Sequence, residues 1–77
     1  MIESKYLEFL YMDKTKKTEI YGVGSKNHGI LLGEIKWFGR WRQYCFFPYK
    51  NTVFNIGCLN DINAFIKELM EERKRPK

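Results

Sequence analysis

The sequence predicts an α+β fold, in which an antiparallel sheet of four strands, or five, is followed by one helix packed on one face. Before residue 59, short stretches rich in β-branched and aromatic residues alternate with polar or glycine-containing turns, as strands do. From Leu59 onward, apolar residues recur at helical spacing instead. A length of 77 residues allows one domain, 1–77, whose ends at 1–4 and 73–77 we expect to fray.

The first two strands are predicted at residues 6–12 and 18–23, which are rich in aromatic and branched apolar residues. The polar run 13–17 between them predicts a turn that pairs the second strand back on the first. Residues 24–29, with glycine at both ends, predict the loop that follows.

Residues 30–38 and 41–47 are predicted to form a hairpin joined by Gly39-Arg40. Glycine at the first position of a two-residue connection suits a type II′ turn, because glycine accepts the positive φ required there. A three-residue turn would set Lys36 against Arg42, and like charges directly opposite destabilise a sheet, so we prefer the two-residue turn. The preferred register sets Phe38 opposite Trp41, Trp37 opposite Arg42, Lys36 opposite Gln43 and Ile35 opposite Tyr44.

Alternation along this hairpin sorts its side chains onto two faces. We expect the more apolar face to pack against the helix and the mixed face to stay open for binding. Arg42, the charged residue of the apolar face, could seal the core edge by a cation–π contact with Trp37. The apolar face carries Leu31, Gly33, Ile35, Trp37, Arg42, Tyr44 and Phe46, and the mixed face carries Leu32, Glu34, Lys36, Phe38, Trp41, Gln43 and Cys45.

The chain after the hairpin begins with a strand break and ends with the clearest predicted element, a helix. Residues 48–51 interrupt the fourth strand, and residues 52–54 are the candidate fifth strand. Asn60 and Asp61 are typical of a helix N-terminus, as cap and first-turn acid. The cations at 73–75 suit the C-terminal end of the helix dipole. The apolar stripe of this helix is Leu59, Ile62, Phe65, Ile66, Leu69 and Met70.

The charge balance favours polyanionic partners. Fourteen Lys and Arg residues against nine Asp and Glu residues give a formal net charge of +5. The excess lies mainly at 14–17, 36–42 and 73–77. Positive charge attracts polyanions over long range, although solubility alone also accounts for it.

No pattern in the sequence predicts catalysis, and we expect neither a metal nor a cofactor. His28 is the single histidine, and its Asn-His-Gly context predicts an exposed turn rather than a general base. Cys45 and Cys58 match no zinc spacing and predict reduced, partly buried thiols. Gly22-Val23-Gly24 resembles part of a phosphate-binding glycine loop, but no helix follows it at the required offset.

The hairpin concentrates aromatic residues: seven of the thirteen in the chain lie between Trp37 and Tyr49. We expect those on the mixed face to stack on nucleobases while neighbouring cations neutralise phosphate. Packing in a core or a dimer is the alternative interpretation for Phe38 and Trp41. The predicted ligand-binding residues are Lys36, Phe38, Arg40, Trp41, Arg42 and Gln43, with Lys14, Lys16 and Lys17 as secondary basic contacts.

Residues 32–48 carry the pattern L-G-x-I-x-W-x-x-x-W-R-x-Y-x-F-x-P. This stretch resembles a family of short phage and prophage proteins, and Thr52-Val53-Phe54 with Cys58-Leu59 and Ile62 extends the likeness over residues 18–70. The resemblance implies a phage context and assigns neither an activity nor a site. In topology, four strands and a helix are similar to the dimeric single-stranded-DNA binders of the transcription-coactivator and Whirly type, although a fold does not by itself carry function.

These observations lead to one hypothesis and two alternatives. The hypothesis is a non-catalytic phage-type module that binds single-stranded nucleic acid or a nucleotide through the mixed face. The first alternative is a phage-encoded interaction protein that inhibits a host defence factor or sequesters its nucleotide signal, with a host protein as partner. The second is a structural, self-assembling protein. A homodimer stays open because a chain this small gains only about 3–5 kcal/mol from its core.

The sequence also predicts a cytoplasmic protein, in the host cell cytoplasm if it is phage-encoded, without a membrane partner. No apolar run approaches the ~20 residues that span a bilayer. Residues 1–5 lack the basic and apolar regions of a secretory signal.

Overall fold

The computed structural model describes residues 4–74 and confirms the predicted α+β fold. Four antiparallel strands form one sheet in the order β1-β2-β3-β4, and one helix, α1, follows them. Residues 52–54 lie outside any strand, so the candidate fifth strand is absent from the described residues. The elements are β1 (Leu7–Lys14), β2 (Glu19–Ser25), β3 (Leu31–Phe38), β4 (Gln43–Pro48) and α1 (Ile56–Lys74).

The core lies between α1 and one face of the sheet. Ile35 and Val23 are fully buried in the sheet layer, and Phe65 of α1 stacks on Phe9 of β1 with ring centroids 4.4 Å apart. The predicted helical stripe is confirmed except for Leu59, which is exposed. The buried apolar residues are Leu7, Val23, Ile35, Tyr44, Cys58, Ile62, Phe65 and Leu69.

The predicted hairpin turn is wrong in length. A four-residue loop, residues 39–42, joins β3 to β4, so that Phe38 pairs with Gln43 and Trp37 with Tyr44. Two overlapping turns build this loop, in which the Trp41 N–H donates to Phe38 O and the Arg42 N–H to Gly39 O, each at 3.2 Å. The register therefore slips by two residues from the prediction. Since side chains alternate with a period of two, the faces assigned to Ile35, Trp37, Tyr44 and Phe46 survive the error.

Arg42 does not lie on the core face. It is the last residue of the loop, is exposed, and adopts a positive φ of 55°. Its predicted place over Trp37 is taken by Arg73 of α1, whose guanidinium carbon lies 4.1 Å from the Trp37 ring centroid. Two residues far apart in sequence therefore make the cation–π contact that we expected within the hairpin.

The predicted faces of Leu31 and Leu32 are exchanged. Val23 pairs with Gly33 and Gly24 with Leu31, which leaves Leu32 as the extra residue of a β-bulge. An extra residue reverses the alternation for everything before it. Leu31 is consequently exposed on the open side, while Leu32 packs against the core.

The helix begins earlier than predicted, at Ile56. Asn55 is its cap, because its side-chain oxygen accepts a hydrogen bond of 2.8 Å from the Cys58 N–H. Asn60 and Asp61 are therefore helical residues rather than the cap and first-turn acid. Asp61 instead accepts a hydrogen bond of 2.7 Å from the hydroxyl of Ser4, which ties the start of the chain to α1.

The ends that we expect to fray are only partly described. Ser4 is buried, and Arg73 and Lys74 belong to α1. Residues 1–3 and 75–77 lie outside the described part of the chain.

The meander places two of its three strand connections at one end of the molecule. In an antiparallel sheet of order β1-β2-β3-β4, the β1–β2 and β3–β4 turns share one end and the β2–β3 turn lies at the other. The last turn of α1 reaches the first of these ends, since Arg73 Nη1 donates to Lys17 O at 3.1 Å. We call it the basic end, because the cations of both turns and of the helix C-terminus meet there.

Candidate binding face

The face of the sheet opposite α1 is uncovered, and we call it the open face. Its members follow from alternation with the buried residues Val23, Ile35 and Tyr44. Along β3 and β4 it carries three cross-strand pairs: Glu34 with Phe47, Lys36 with Cys45, and Phe38 with Gln43. Along β1 and β2 and at the start of β3 it carries Glu8, Leu10, Met12, Gly22 and Leu31.

Three rings form an aromatic cluster at the basic end of the open face: Phe38, Trp41 and Phe47. Phe38 lies at the centre, in edge-to-face contact with Trp41 at 5.0 Å and with Phe47 at 6.0 Å between ring centroids. Trp41 projects from the loop and is 64% exposed, more than either of its neighbours. The loop therefore presents a large indole surface to solvent, held at one edge by a half-buried phenyl ring.

Two cations border this aromatic cluster. The ammonium of Lys36 lies 4.8 Å from the Phe47 ring centroid, and the guanidinium carbon of Arg40 lies 6.0 Å from that of Phe38. Both distances fit cation–π contact. Arg40 is exposed and Lys36 is half-buried, so both charges stay accessible to a ligand that covers the rings.

Glu34 is a carboxylate in contact with this group. It lies 3.6 Å from the ammonium of Lys36 and accepts a hydrogen bond of 2.8 Å from the Tyr49 hydroxyl. That hydrogen bond, with a smaller contribution from burial, raises the pKa of Tyr49. The negative charge is thus already held by two neighbours, which leaves Arg40 as the cation of the cluster with no ion pair among residues 4–74.

A second part of the open face is aliphatic, and we did not predict it from the sequence. Leu10, Met12 and Leu31 are each more than 40% exposed. Met12 and Leu31 close over Gly22, the strand partner of Leu10: a Cβ there would lie 2.8 Å from the sulfur of Met12 and 3.0 Å from a methyl of Leu31. The bulge at Leu32 brings Leu31 to the open face, and bulges leave little trace in sequence. Leu10 and Met12 lie there by ordinary alternation with Phe9, which packs against the core.

The structure gathers most of the predicted ligand-binding residues. Lys36, Phe38, Arg40 and Trp41 lie together, and Gln43 is exposed beside Phe38. Arg42 is exposed in the loop but contributes no contact to the cluster. Phe47, which we did not predict, belongs to the cluster; extending the alternation by two residues from Cys45 would have found it. Lys14, Lys16 and Lys17 are exposed in and beside the β1–β2 turn, at the same end.

Among residues 4–74, no three His, Cys, Asp or Glu side chains are placed to hold a metal ion. His28 lies in an exposed turn, where Nδ1 is 3.2 Å from the hydroxyl of Ser25, a neighbour that sequence reasoning had not paired with it. Burial raises the pKa of the Cys45 thiol, which disfavours the nucleophilic thiolate.

Comparison with known proteins places the chain in a phage family. It is 41% identical over 73 residues to a protein of Acholeplasma phage L2 that bears the description "Uncharacterized 9.3 kDa protein", and the match covers 94% of each chain. The chain therefore belongs to the same family as this phage protein, which confirms the phage context that the resemblance implied. No protein-family model matches the sequence. No solved structure matches it either.

The helix of the described residues does not have the length and apolar character that crossing a membrane requires.

Proposed function

We propose that this protein is a non-catalytic module that binds single-stranded nucleic acid through the open face. Bases stack on Trp41 and contact the accessible parts of Phe38 and Phe47, and Lys36 and Arg40 contact the phosphates. One observation carries the proposal: an indole 64% exposed, fixed 5.0 Å from a second ring, on the side of the sheet that α1 does not cover.

We expect base stacking to make the main contribution to the binding free energy. Base–aromatic stacking is worth about 1–3 kcal/mol per base, and it tolerates any base because every base has a π face. Phosphate contacts add a part that salt weakens. A phage protein with this activity would act in the host cell cytoplasm, and a mononucleotide would occupy the same rings with fewer contacts.

The test is an anisotropy titration of a labelled oligothymidylate with the wild type and with Trp41→Ala. We expect the substitution to weaken binding about tenfold to a hundredfold, the equivalent of one stacked base. Tyr6→Ala is the matched control, since Tyr6 is an exposed aromatic at the opposite end of the sheet. Equal affinities of the two variants, or no binding by the wild type at low salt, would refute the proposal.

The aliphatic part of the open face favours a second candidate, a phage-encoded interaction protein that docks on a host protein. Leu10, Met12 and Leu31 offer nothing to a phosphate, whereas contiguous exposed apolar side chains commonly mark protein interfaces. The discriminating variant is Leu10→Ser combined with Leu31→Ser. Loss of a nuclease-resistant host partner in this variant, with oligothymidylate binding absent from the wild type, would select the second candidate.

A further inference from the structure

A cleft of about 360 Å³ opens at the basic end, on the helix side of the sheet. The β1–β2 turn forms one wall and the last turns of α1 form the other. Its volume lies within the range of about 300–1,000 Å³ that is usual for small-ligand sites. The cleft is lined by Lys14, Lys16, Lys17, Arg73, Glu19 and Glu72, together with the two threonines of the turn, Tyr44 and Leu69.

Charge in the cleft is unbalanced in favour of an anion. Three lysines and one arginine face two carboxylates. Within residues 4–74, no carboxylate lies within ion-pair distance of the ammonium groups of Lys14, Lys16 or Lys17. Of the two carboxylates, Glu19 already accepts a hydrogen bond of 3.3 Å from the hydroxyl of Tyr21.

The walls of the cleft are held in place without a ligand. The Thr15 N–H donates to Thr18 O at 2.8 Å, and the Thr18 N–H donates back to the Thr15 hydroxyl at 3.1 Å. Arg73 connects the two walls, since it donates to Lys17 O at 3.1 Å while its guanidinium stacks on Trp37. The lysines therefore extend from an ordered turn, so that less entropy is lost when they bind an anion.

The cleft and the aromatic cluster lie at the same end of the sheet, on opposite faces. Neighbouring strands are ~4.8 Å apart, so the centres of the β1–β2 and β3–β4 turns are separated by about 10 Å. A strand whose bases stack on Trp41 can pass around this end and bring its backbone to the cleft.

We propose that the cleft is a second site, which binds phosphate groups of the same single strand as it leaves the aromatic cluster. The proposal rests on the proposed function for the identity of the strand. The chemistry of the site itself, a cradle for phosphate, does not depend on that function.

The test compares two triple variants of equal charge. The cleft variant is K14Q/K16Q/K17Q, and the control is K5Q/K26Q/K50Q, which removes three cations outside the basic end. We measure oligothymidylate affinity over a range of salt concentrations. Each lost phosphate contact lowers the slope of log affinity against log salt by about 0.7. We expect the slope to fall by about 2 in the cleft variant and to change far less in the control. Equal slopes for the two variants would overturn the proposal and leave the open face intact.

A titration with pyrophosphate, in which the chemical shifts of the backbone amides are measured, distinguishes failure of the cleft site from failure of the proposed function. We expect shifts confined to residues 14–19 and to Arg73 in the wild type and in the control variant, and their loss in the cleft variant. This result without oligothymidylate binding would establish the phosphate cradle and reject the proposed function. Absence of these shifts in the wild type would overturn the cleft site itself.

Discussion

At the scale of single residues, the core edge depends on a contact between two residues far apart in sequence, Trp37 and Arg73. Trp37 lies between Tyr44, at 5.4 Å between ring centroids, and the guanidinium of Arg73. A planar guanidinium 4.1 Å from an indole is favourable by about 0.5–1 kcal/mol at an exposed site. Arg73 also forms part of the cleft, so one side chain connects the core to the candidate phosphate site.

Tyr21 is the residue from which a pH dependence follows. Burial, together with the charge and hydrogen bond of Glu19, raises its pKa from 10.0 to about 12. Below pH ~10 both folded and unfolded chains keep the proton, and the stabilising contribution is fully present. Between about 10 and about 12 the unfolded chain loses the proton first, so stability falls as pH rises.

We therefore expect the stability of the wild type to fall more steeply than that of Tyr21→Phe as pH rises from about 10 to about 12. Urea unfolding of both proteins at a series of pH values measures the difference. Tyr49, whose pKa is also raised, is present in both proteins and cancels. Parallel curves for the two proteins would show that the pH dependence of stability does not come from Tyr21.

At the scale of elements, the start of α1 shows how two candidate cap residues, close together in sequence, compete for one role. Asn55 and Asn60 are both good cap residues in sequence. In the structure Asn55 is the cap, so that α1 is one helical turn longer than a helix capped by Asn60 would be. This additional turn buries Cys58 against the sheet. Sequence periodicity does not detect this turn, because Ile56 and Leu59 are exposed.

The two asparagines offer a matched pair of substitutions. Asn55→Ala removes the hydrogen bond to the Cys58 N–H, and we expect a loss of about 1 kcal/mol in the free energy of unfolding. Asn60→Ala replaces an exposed helical residue by a better helix former and should cost nothing. Chemical denaturation of both variants measures this. A larger loss at Asn60 would restore the cap that the sequence predicted.

At the scale of the whole molecule, function depends on which face stays uncovered. One helix is enough to cover one side of a four-stranded sheet, and the other side keeps rings, cations and aliphatic side chains exposed. A nucleic-acid strand and a second copy of the chain would compete for the same surface. The proposed function therefore carries an expectation about oligomeric state.

We expect native mass spectrometry to find a monomer at the concentrations used for binding. The open face must be uncovered to bind oligothymidylate, and in the monomer it is uncovered. A dimer that is abolished by Leu31→Ser and persists with oligothymidylate present would mean that self-association occupies this face. That outcome would favour the self-assembling alternative over the proposed function.

Local periodicity in the sequence determined the element types and most of the side-chain faces. Period-two alternation placed Ile35, Trp37, Tyr44 and Phe46 on the core side even though the predicted register was wrong by two residues, because such a slip preserves alternation. Helical spacing likewise identified the stripe of α1, and the aromatic run marked the candidate site.

Only the tertiary structure decided the loop length, the bulges, the partner of Trp37 and the meeting of the β1–β2 turn with the end of α1 in one basic cleft. The last two depend on contacts between residues distant in sequence, such as Arg73 with Trp37 and with Lys17. Local propensity is blind to such contacts, since the energy that selects them arises only when the sheet and the helix pack together.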